Sequence, residues 1–206
     1  MKVLLINGSP NKDGCTFTAL SEVASALEKS GLETEMFQIG TKPVRGCVAC
    51  SKCRELGKCV FEDDVCNELL AGIKAADGVV IGSPVYFSGP NGALCALLDR
   101  IFFSSMGRFR HKPGAAVVSC RRGGATAALD RLNKYFTIAQ MPVVSSQYWN
   151  MVHGYEPEHV RRDVEGMQTL RILGNNMAWL IKNIKNGEPP PEMEKPRLMT
   201  NFHDGK

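Results

Sequence analysis

Lys2-Val-Leu-Leu-Ile-Asn-Gly-Ser-Pro-Asn-Lys-Asp-Gly-Cys-Thr-Phe-Thr18 opens with a short apolar run that ends in a turn of small and hydroxylated residues. An unalternating apolar run of this length reads as a strand buried on both faces, residues 3–6. The turn behind it lacks the Gly-Lys-Ser/Thr ending of a Walker A loop and the glycine spacing of a G-x-G-x-x-G fingerprint. It does offer small residues (Gly8, Ser9, Gly14) and hydroxyls (Ser9, Thr16, Thr18) at the start of a helix over 17–29. That helix gathers Leu20, Val23, Ala24 and Leu27 on one face. Backbone N–H groups at such a helix start can hold a phosphate, with help from the helix dipole. So short a cradle suits a terminal monophosphate better than a pyrophosphate. The plainer alternative is an ordinary turn with a threonine N-cap.

Working outward, the same alternation repeats. Strands are expected over 33–39, 78–81, 115–118 and 142–145, and helices over 65–76, 91–103 and 125–138, with a long closing helix over 159–184. Five strands alternating with helices imply an α/β three-layer sandwich built on a parallel, doubly wound sheet. Ligands of such sheets lie beyond the carboxyl ends of the strands. The loops after the first, third and fourth strands should therefore meet. The loop after the third strand, Gly82-Ser-Pro-Val-Tyr-Phe-Ser-Gly-Pro90, carries Pro84, Val85, Tyr86, Phe87 and Ser88. The loop after the fourth, Ser119-Cys-Arg-Arg-Gly-Gly-Ala125, offers positive charge from Arg121 and Arg122 and close backbone approach at Gly123 and Gly124. A flat, monophosphorylated ring is the economical occupant of three such loops, and FMN answers that description.

Composition narrows the function classes. At 206 residues, 22% charged and 44% hydrophobic, the chain is expected to fold as one domain over 1–186, with an aperiodic stretch over 42–64 after the second strand. An extended tail over 187–206 carries three consecutive prolines. A net charge of +4 argues against nucleic-acid and membrane partners. Arg108, Arg110, Lys112, Arg121, Arg122 and Arg131 form either a solvated basic face or a site for an anionic, phosphate-bearing reductant. The first strand is too short for a signal peptide, and no stretch reaches the ~18 apolar residues of a membrane span. A cytoplasmic chain is expected. Its eight cysteines then point to metal binding or catalysis and not to disulfides.

Four of those cysteines fall in one run, Gly46-Cys-Val-Ala-Cys-Ser-Lys-Cys-Arg-Glu-Leu-Gly-Lys-Cys59, spaced C-x2-C-x2-C-x5-C. Cys47, Cys50, Cys53 and Cys59 can present their sulfurs to one centre, and so compact a spacing favours a 4Fe–4S cluster. Structural zinc usually draws paired cysteines from separated segments. The spacing leaves three occupants open: a cluster, zinc or none. Lys42, Arg45, Lys52, Arg54 and Lys58 lie around the run against Glu55 and would offset a tetrathiolate's charge. Cys66 and Cys95 read as buried small apolar residues. Cys120 lies beside the third loop, and His153 reads as a structural histidine near the site.

Taken together, these motifs resemble the NAD(P)H-dependent FMN reductases of the flavodoxin-like superfamily, and more closely the iron–sulfur flavoproteins. The matching pieces are Gly8-Ser-Pro with Gly14-Cys-Thr16, the cysteine run, Gly82-Ser-Pro-Val-Tyr-Phe87, Ala96-Leu-Leu-Asp-Arg100, Arg121-Arg-Gly-Gly124 and Tyr148-Trp-Asn-Met-Val-His-Gly154. The resemblance spans residues 1 to 185. It implies a flavodoxin-like fold and an FMN phosphate held at Ser9, Pro10, Gly14, Cys15, Thr16 and Phe17. It places the isoalloxazine against Pro84, Val85, Tyr86, Phe87 and Ser88 and against Arg121, Arg122, Gly123 and Gly124. It also implies NAD(P)H as donor, a small-molecule or ferredoxin-like redox partner, and a homodimer or homotetramer. Cys15 stands where this loop usually carries Asn, so a side-chain contact from that position is lost while its backbone contribution survives. Flavin chemistry needs no catalytic triad. The competing reading is a non-enzymatic electron carrier or redox sensor.

Overall fold

The computed structural model describes residues 1–105, 107–196, 198 and 200. In chain order the elements are β1 (Lys2–Asn7), α1 (Cys15–Lys29), β2 (Glu33–Gln38), α2 (Cys53–Leu56), α3 (Cys66–Ala75), β3 (Gly78–Tyr86) and β4 (Gly89–Pro90). They continue with α4 (Gly92–Ser105), β5 (Gly114–Cys120), α5 (Ala125–Ile138), β6 (Met151–His153), α6 (Pro157–Arg162) and α7 (Val164–Asn186). The parallel strands lie in the order β2-β1-β3-β5-β6, and β4 folds back antiparallel on the end of β3. This is the expected doubly wound three-layer architecture.

The unalternating apolar strands follow from burial on both faces. Val3 and Leu5 of β1, Val80 of β3 and Val117 of β5 pack against Leu20, Val23 and Leu27 of α1 and Leu170, Leu173 and Met177 of α7. Their neighbours Leu4, Ile6, Ile81 and Val118 face α3, α4 and α5 through Leu69, Ile73, Leu97, Leu98, Leu132 and Phe136. Each such side chain contributes ~1.5–3 kcal/mol relative to leaving it exposed. The edge strand β2 reads Glu-Thr-Glu-Met-Phe-Gln and leaves Glu33 and Glu35 in solvent. Among the described residues no helix is long and apolar enough to cross a membrane.

Two expectations need correction. The fifth strand does not sit at 142–145. Gly114 N–H donates to Pro142 O (2.9 Å) and Val144 N–H to Gly114 O (2.8 Å), but the contact is an isolated bridge at Val143. The chain then loops out and returns as β6 alongside Val118, Ser119 and Cys120. The edge is one strand interrupted, and its β-branched first piece carried the sequence signal. The closing helix is also two. Asp163 ends α6 and caps α7, its Oδ1 accepting from Gly166 N–H (3.0 Å) and its Oδ2 from His153 N–H (2.7 Å). The apolar period runs through this break, which hid it. Residues 187–196 form neither helix nor strand. Of the tail expected over 187–206, Arg197, Met199 and 201–206 lie outside the described residues.

Helices α1 and α7 pack tightly at Gly174. A Cβ there would stand 2.6 Å from Ala26 Cβ and 2.9 Å from Val23 O, a backbone atom that cannot rotate aside. Gly174→Ala is therefore expected to cost ~1–3 kcal/mol by overpacking, read as a lower urea midpoint with an unchanged slope. An unaltered midpoint would mean that the two helices have slack.

Candidate functional site

The sheet delivers its loops to one rim, and glycines let them touch. Gly8, directly after β1, donates its N–H to Gly82 O of β3 (2.9 Å). A Cβ at Gly8 would lie 2.6 Å from that same oxygen and 2.5 Å from Leu94 Cδ2. Asn91 Nδ2 donates to Gly8 O (2.9 Å), and Asn91 N–H donates to Ser83 Oγ (3.0 Å). Buried Asn7 shapes the rest of the loop. Its Oδ1 accepts from Ser9 N–H (3.1 Å), and its Nδ2 donates to Gln38 Oε1 (2.6 Å), while Gln38 Nε2 donates to Ser9 O (2.7 Å). The loop is thus held by buried polar groups of its neighbours.

The loop ends at α1, where Gly14 is the N-cap and supplies no side-chain acceptor. The first-turn N–H groups have no partner inside the helix and stand at the positive end of its dipole. Thr16, 1% exposed, pairs its hydroxyl with Ser119 Oγ of β5 (2.8 Å), and Ser9 Oγ accepts from Asn11 N–H (3.1 Å). These groups border an open cleft of about 750 Å³, within the range of small-molecule and cofactor sites.

Of the residues expected at the cleft, Ser9, Pro10, Gly14, Cys15, Thr16, Pro84, Val85, Tyr86 and Arg121 line it. Phe17, Phe87, Ser88, Arg122, Gly123 and Gly124 stand behind or beside it. Phe87 and Ser88 form the two-residue turn between β3 and β4, with φ of 49° and 62°. That left-handed pair aims Phe87 into solvent, where it is fully exposed. Gly124 (φ +87°) serves by packing: a Cβ there would fall 2.7 Å from Ser88 Cα. The cleft has a fourth wall that sequence reasoning missed, made by Gly154, Tyr155, Glu156 and Pro157 after β6. With the fifth strand expected at 142–145, no loop following 151–153 was expected at the rim. Asn11, Ser119 and Cys120 also line the cleft. His153 does not; it sits half-exposed with Nδ1 3.6 Å from Asp163 Oδ2. Burial holds the Cys15 thiol above its ordinary range, and the charge of Glu156 adds to this. The Cys120 thiol is raised in the same way, first by burial.

The cysteine run forms a second site between β2 and α3. Cys47, Cys50, Cys53 and Cys59 border one cavity, walled by Val48, Val60, Phe61 and Phe103 and by Arg100 of α4. Cys53 and Cys59 are buried, and Cys47 and Cys50 exposed. Ala49 and Ser51, on either side of Cys50, both hold left-handed backbone (φ 52° and 58°). Such strain costs of order 1–3 kcal/mol per residue and gathers at functional sites. Burial raises the Cys53 thiol, and the charges of Cys50, Cys47 and Cys59 push it further, so the four sulfurs share one electrostatic neighbourhood. Among the described residues no three His, Cys, Asp or Glu side chains converge on a single metal-ion position as they stand. Cys66 lies below the cavity, its thiol pushed up to about 12 by burial. Cys95 is half-buried.

The charge balance differs from the local count along the run. Arg45 pairs with Asp63 (2.8 Å) and Lys58 with Glu62 (2.6 Å), both at the surface. The buried cation comes from elsewhere: Arg100 donates through Nε to Cys59 Sγ (3.3 Å) and through Nη1 to Arg45 O (3.2 Å) and to Asp64. The Arg100 and Asp64 side chains are 1% and 4% exposed. Burial would raise the Asp64 carboxyl, but Arg100, with the Cys66 N–H, holds it below the usual carboxylate range. Arg100 Nη2 is buried with no hydrogen-bond partner. A buried guanidinium with an open donor beside four thiols suits a net-negative thiolate centre. The signal was in the sequence: Arg100 falls on the apolar face of its helix, between Leu97 and Ile101, where charge is rare unless paired.

Residues 1–156 match the profile of the NADPH-dependent FMN reductase family. The chain belongs to that family. An iron–sulfur flavoprotein of Methanocaldococcus jannaschii is 36% identical over 193 residues, covering 90% of this chain and 100% of the relative. An iron–sulfur flavoprotein of Archaeoglobus fulgidus is 37% identical over 191 residues, covering 89% and 94%. The structure of RosB with bound 8-demethyl-8-formylriboflavin-5'-phosphate superposes with a TM-score of 0.70 at 13% identity, over 98% of this chain and 95% of that one. At that identity the likeness speaks for the fold.

Thiol exposure and burial set an order of reactivity. Brief iodoacetamide treatment of the metal-free protein at neutral pH, read by peptide mass spectrometry, is expected to label Cys47 and Cys50 first. Cys15 and Cys120 should follow only as pH rises, and Cys66 only on unfolding. Early labelling of Cys66 would contradict the packing of α3 beneath the cavity.

Proposed function

We propose that this protein is an FMN-dependent oxidoreductase of the iron–sulfur flavoprotein type. It would take electrons from NAD(P)H or a ferredoxin-like carrier and pass them to a small-molecule or protein acceptor. The observation that carries the reading is the rim cleft: four loops close on the uncapped start of α1, in a chain of the FMN reductase family. When bound there, FMN supplies both two-electron and one-electron chemistry.

The protein's own part is binding, orientation and charge. The first-turn amides of α1, with Ser9 and Thr16, are the donors for a phosphate. Pro84, Val85 and Tyr86 offer a flat apolar edge for a ring. Arg121 brings positive charge to the mouth of the cleft, while Glu156 on the facing wall disfavours anions there and so helps set orientation. Cys47, Cys50, Cys53 and Cys59 are the ligands proposed for a 4Fe–4S cluster, with Arg100 as their buried counter-cation. A homodimer or homotetramer in the cytoplasm, with no nucleic-acid or membrane partner, belongs to the same proposal, as does the division into a domain over 1–186 and a tail.

Anaerobic purification with flavin, iron and sulfide quantitation tests it. About one FMN and about four irons per chain are expected for a cubane held by four thiolates. Flavin without iron would leave an NAD(P)H-dependent reductase, and a preparation that neither carries nor takes up FMN would end the proposal. Oxidation of NADPH or NADH with quinone or nitro acceptors separates an enzyme from a passive carrier.

Gly14→Asp isolates the cradle. The new carboxylate would cap α1 from within, favouring the helix by only about a few tenths of a kcal/mol while occupying the amides and repelling phosphate. FMN affinity is expected to fall roughly ten- to hundredfold, the equivalent of one or two lost charge-assisted hydrogen bonds. Riboflavin affinity should change far less. Undiminished FMN binding by a stable Gly14→Asp protein would place the phosphate elsewhere.

A further inference from the structure

The cysteine cavity borrows its cation from outside its own loop. Arg100 is mounted on α4, part of the rigid layer against the sheet, whereas Arg45 and Lys58 of the loop are exposed and paired with Asp63 and Glu62. Three groups of the guanidinium behave differently. Nη1 is fully used, on Asp64 and Arg45 O; Nε is given to a cysteine sulfur; Nη2 is buried and given to nothing. Burying charged N–H groups without acceptors is strongly disfavoured. An ion pair serving only to hold the loop would need Nη1 and Asp64, not a donor given to Cys59 nor a buried Nη2 left without an acceptor.

We propose that Arg100 is the positioning residue that sets the redox potential of a cluster held by Cys47, Cys50, Cys53 and Cys59. Its Nε–H acts through Cys59 Sγ, its free Nη2–H is the donor for a further cluster or ligand sulfur, and Asp64 offsets its charge. The inference rests on the cluster reading of this cavity. Reduction of a cluster adds one negative charge, and a cation and N–H donors next to its sulfurs favour that reduced state. Arg100 therefore raises the potential, and Asp64, paired with Nη1 of the same guanidinium, tempers the rise. Asn67 fixes the sulfur that receives the bond: its Oδ1 accepts from Cys59 N–H (2.9 Å) and its Nδ2 donates to Cys59 O (3.0 Å).

The test uses anaerobically purified holoprotein and EPR-monitored redox titration of two variants. Asp64→Asn keeps a hydrogen-bond acceptor for Arg100 but removes the offsetting charge, and its cluster potential should rise above wild type. The double variant Arg100→Met with Asp64→Asn removes the whole ion pair, an exchange that buried pairs can tolerate. Its potential should fall, with the oxidised-to-reduced ratio at fixed poise up at least tenfold, or 59 mV for a one-electron couple. Opposite shifts from the two variants, with FMN content and helicity unchanged, establish the role. A double variant that loses its iron gives no potential to read, and Asp64→Asn alone then decides: no upward shift overturns the proposal. Wild-type potentials in both variants overturn it. Should the double variant lose its helicity, the single variant decides: no upward shift overturns the proposal. Wild-type protein free of iron and sulfide overturns the cluster reading itself, an outcome seen before any variant is made.

Discussion

The hydrogen bond from Gly8 N–H to Gly82 O is the contact on which the upper rim depends. It joins the ends of the two central strands at the point where both chains must turn away. Only a residue without a side chain can sit there, because a Cβ would collide with the carbonyl it bonds to. From this junction the first loop is led across the top of the sheet to the start of α1, and the third strand runs on past it into the β3–β4 turn. Asn7, Gln38 and Asn91 then hold the loop by side-chain bonds to its backbone. The cleft is consequently a property of the folded sheet, with its shape already determined by buried polar groups.

The cysteine loop is organised on a different principle. It has little regular structure and buries few apolar residues of its own, so the domain must hold it from beneath. Asn67 grips both backbone groups of Cys59, Lys74 and Arg108 both donate to Gly57 O, and the Arg100–Asp64 pair closes the inner side. Each anchor comes from α3, α4 or the chain following them. Half of the sulfur set is fixed this way. The outer half, Cys47 and Cys50, is exposed, and Cys50 sits between the left-handed residues Ala49 and Ser51.

Much of this was legible in the residues alone. Runs such as Val3 to Ile6 and Gly78 to Ile81 are apolar on both faces and can only be inner parallel strands, so the sheet and its helix layers followed. The C-x2-C-x2-C-x5-C run announced itself by spacing. What escaped was decided by contacts distant in sequence. The interrupted edge strand has its more hydrophobic half where pairing is weaker, which shifted attention away from Gly154 to Pro157. Phe87 looked like a ring platform until the backbone of its two-residue turn faced it outward. Local charges around the cysteines suggested a surface solution, while the buried cation bonded to Cys59 sat in the phrase Ala96-Leu-Leu-Asp-Arg100, noticed only as a familiar motif.

The two sides of the sheet are unequal in a way that bears on association. β2 leaves Glu33 and Glu35 in solvent along its free margin, and β6 is three residues long with an excursion immediately before it. A charged margin and a broken one both discourage backbone pairing with another chain. The sheet is thereby guarded against edge-to-edge growth and aggregation.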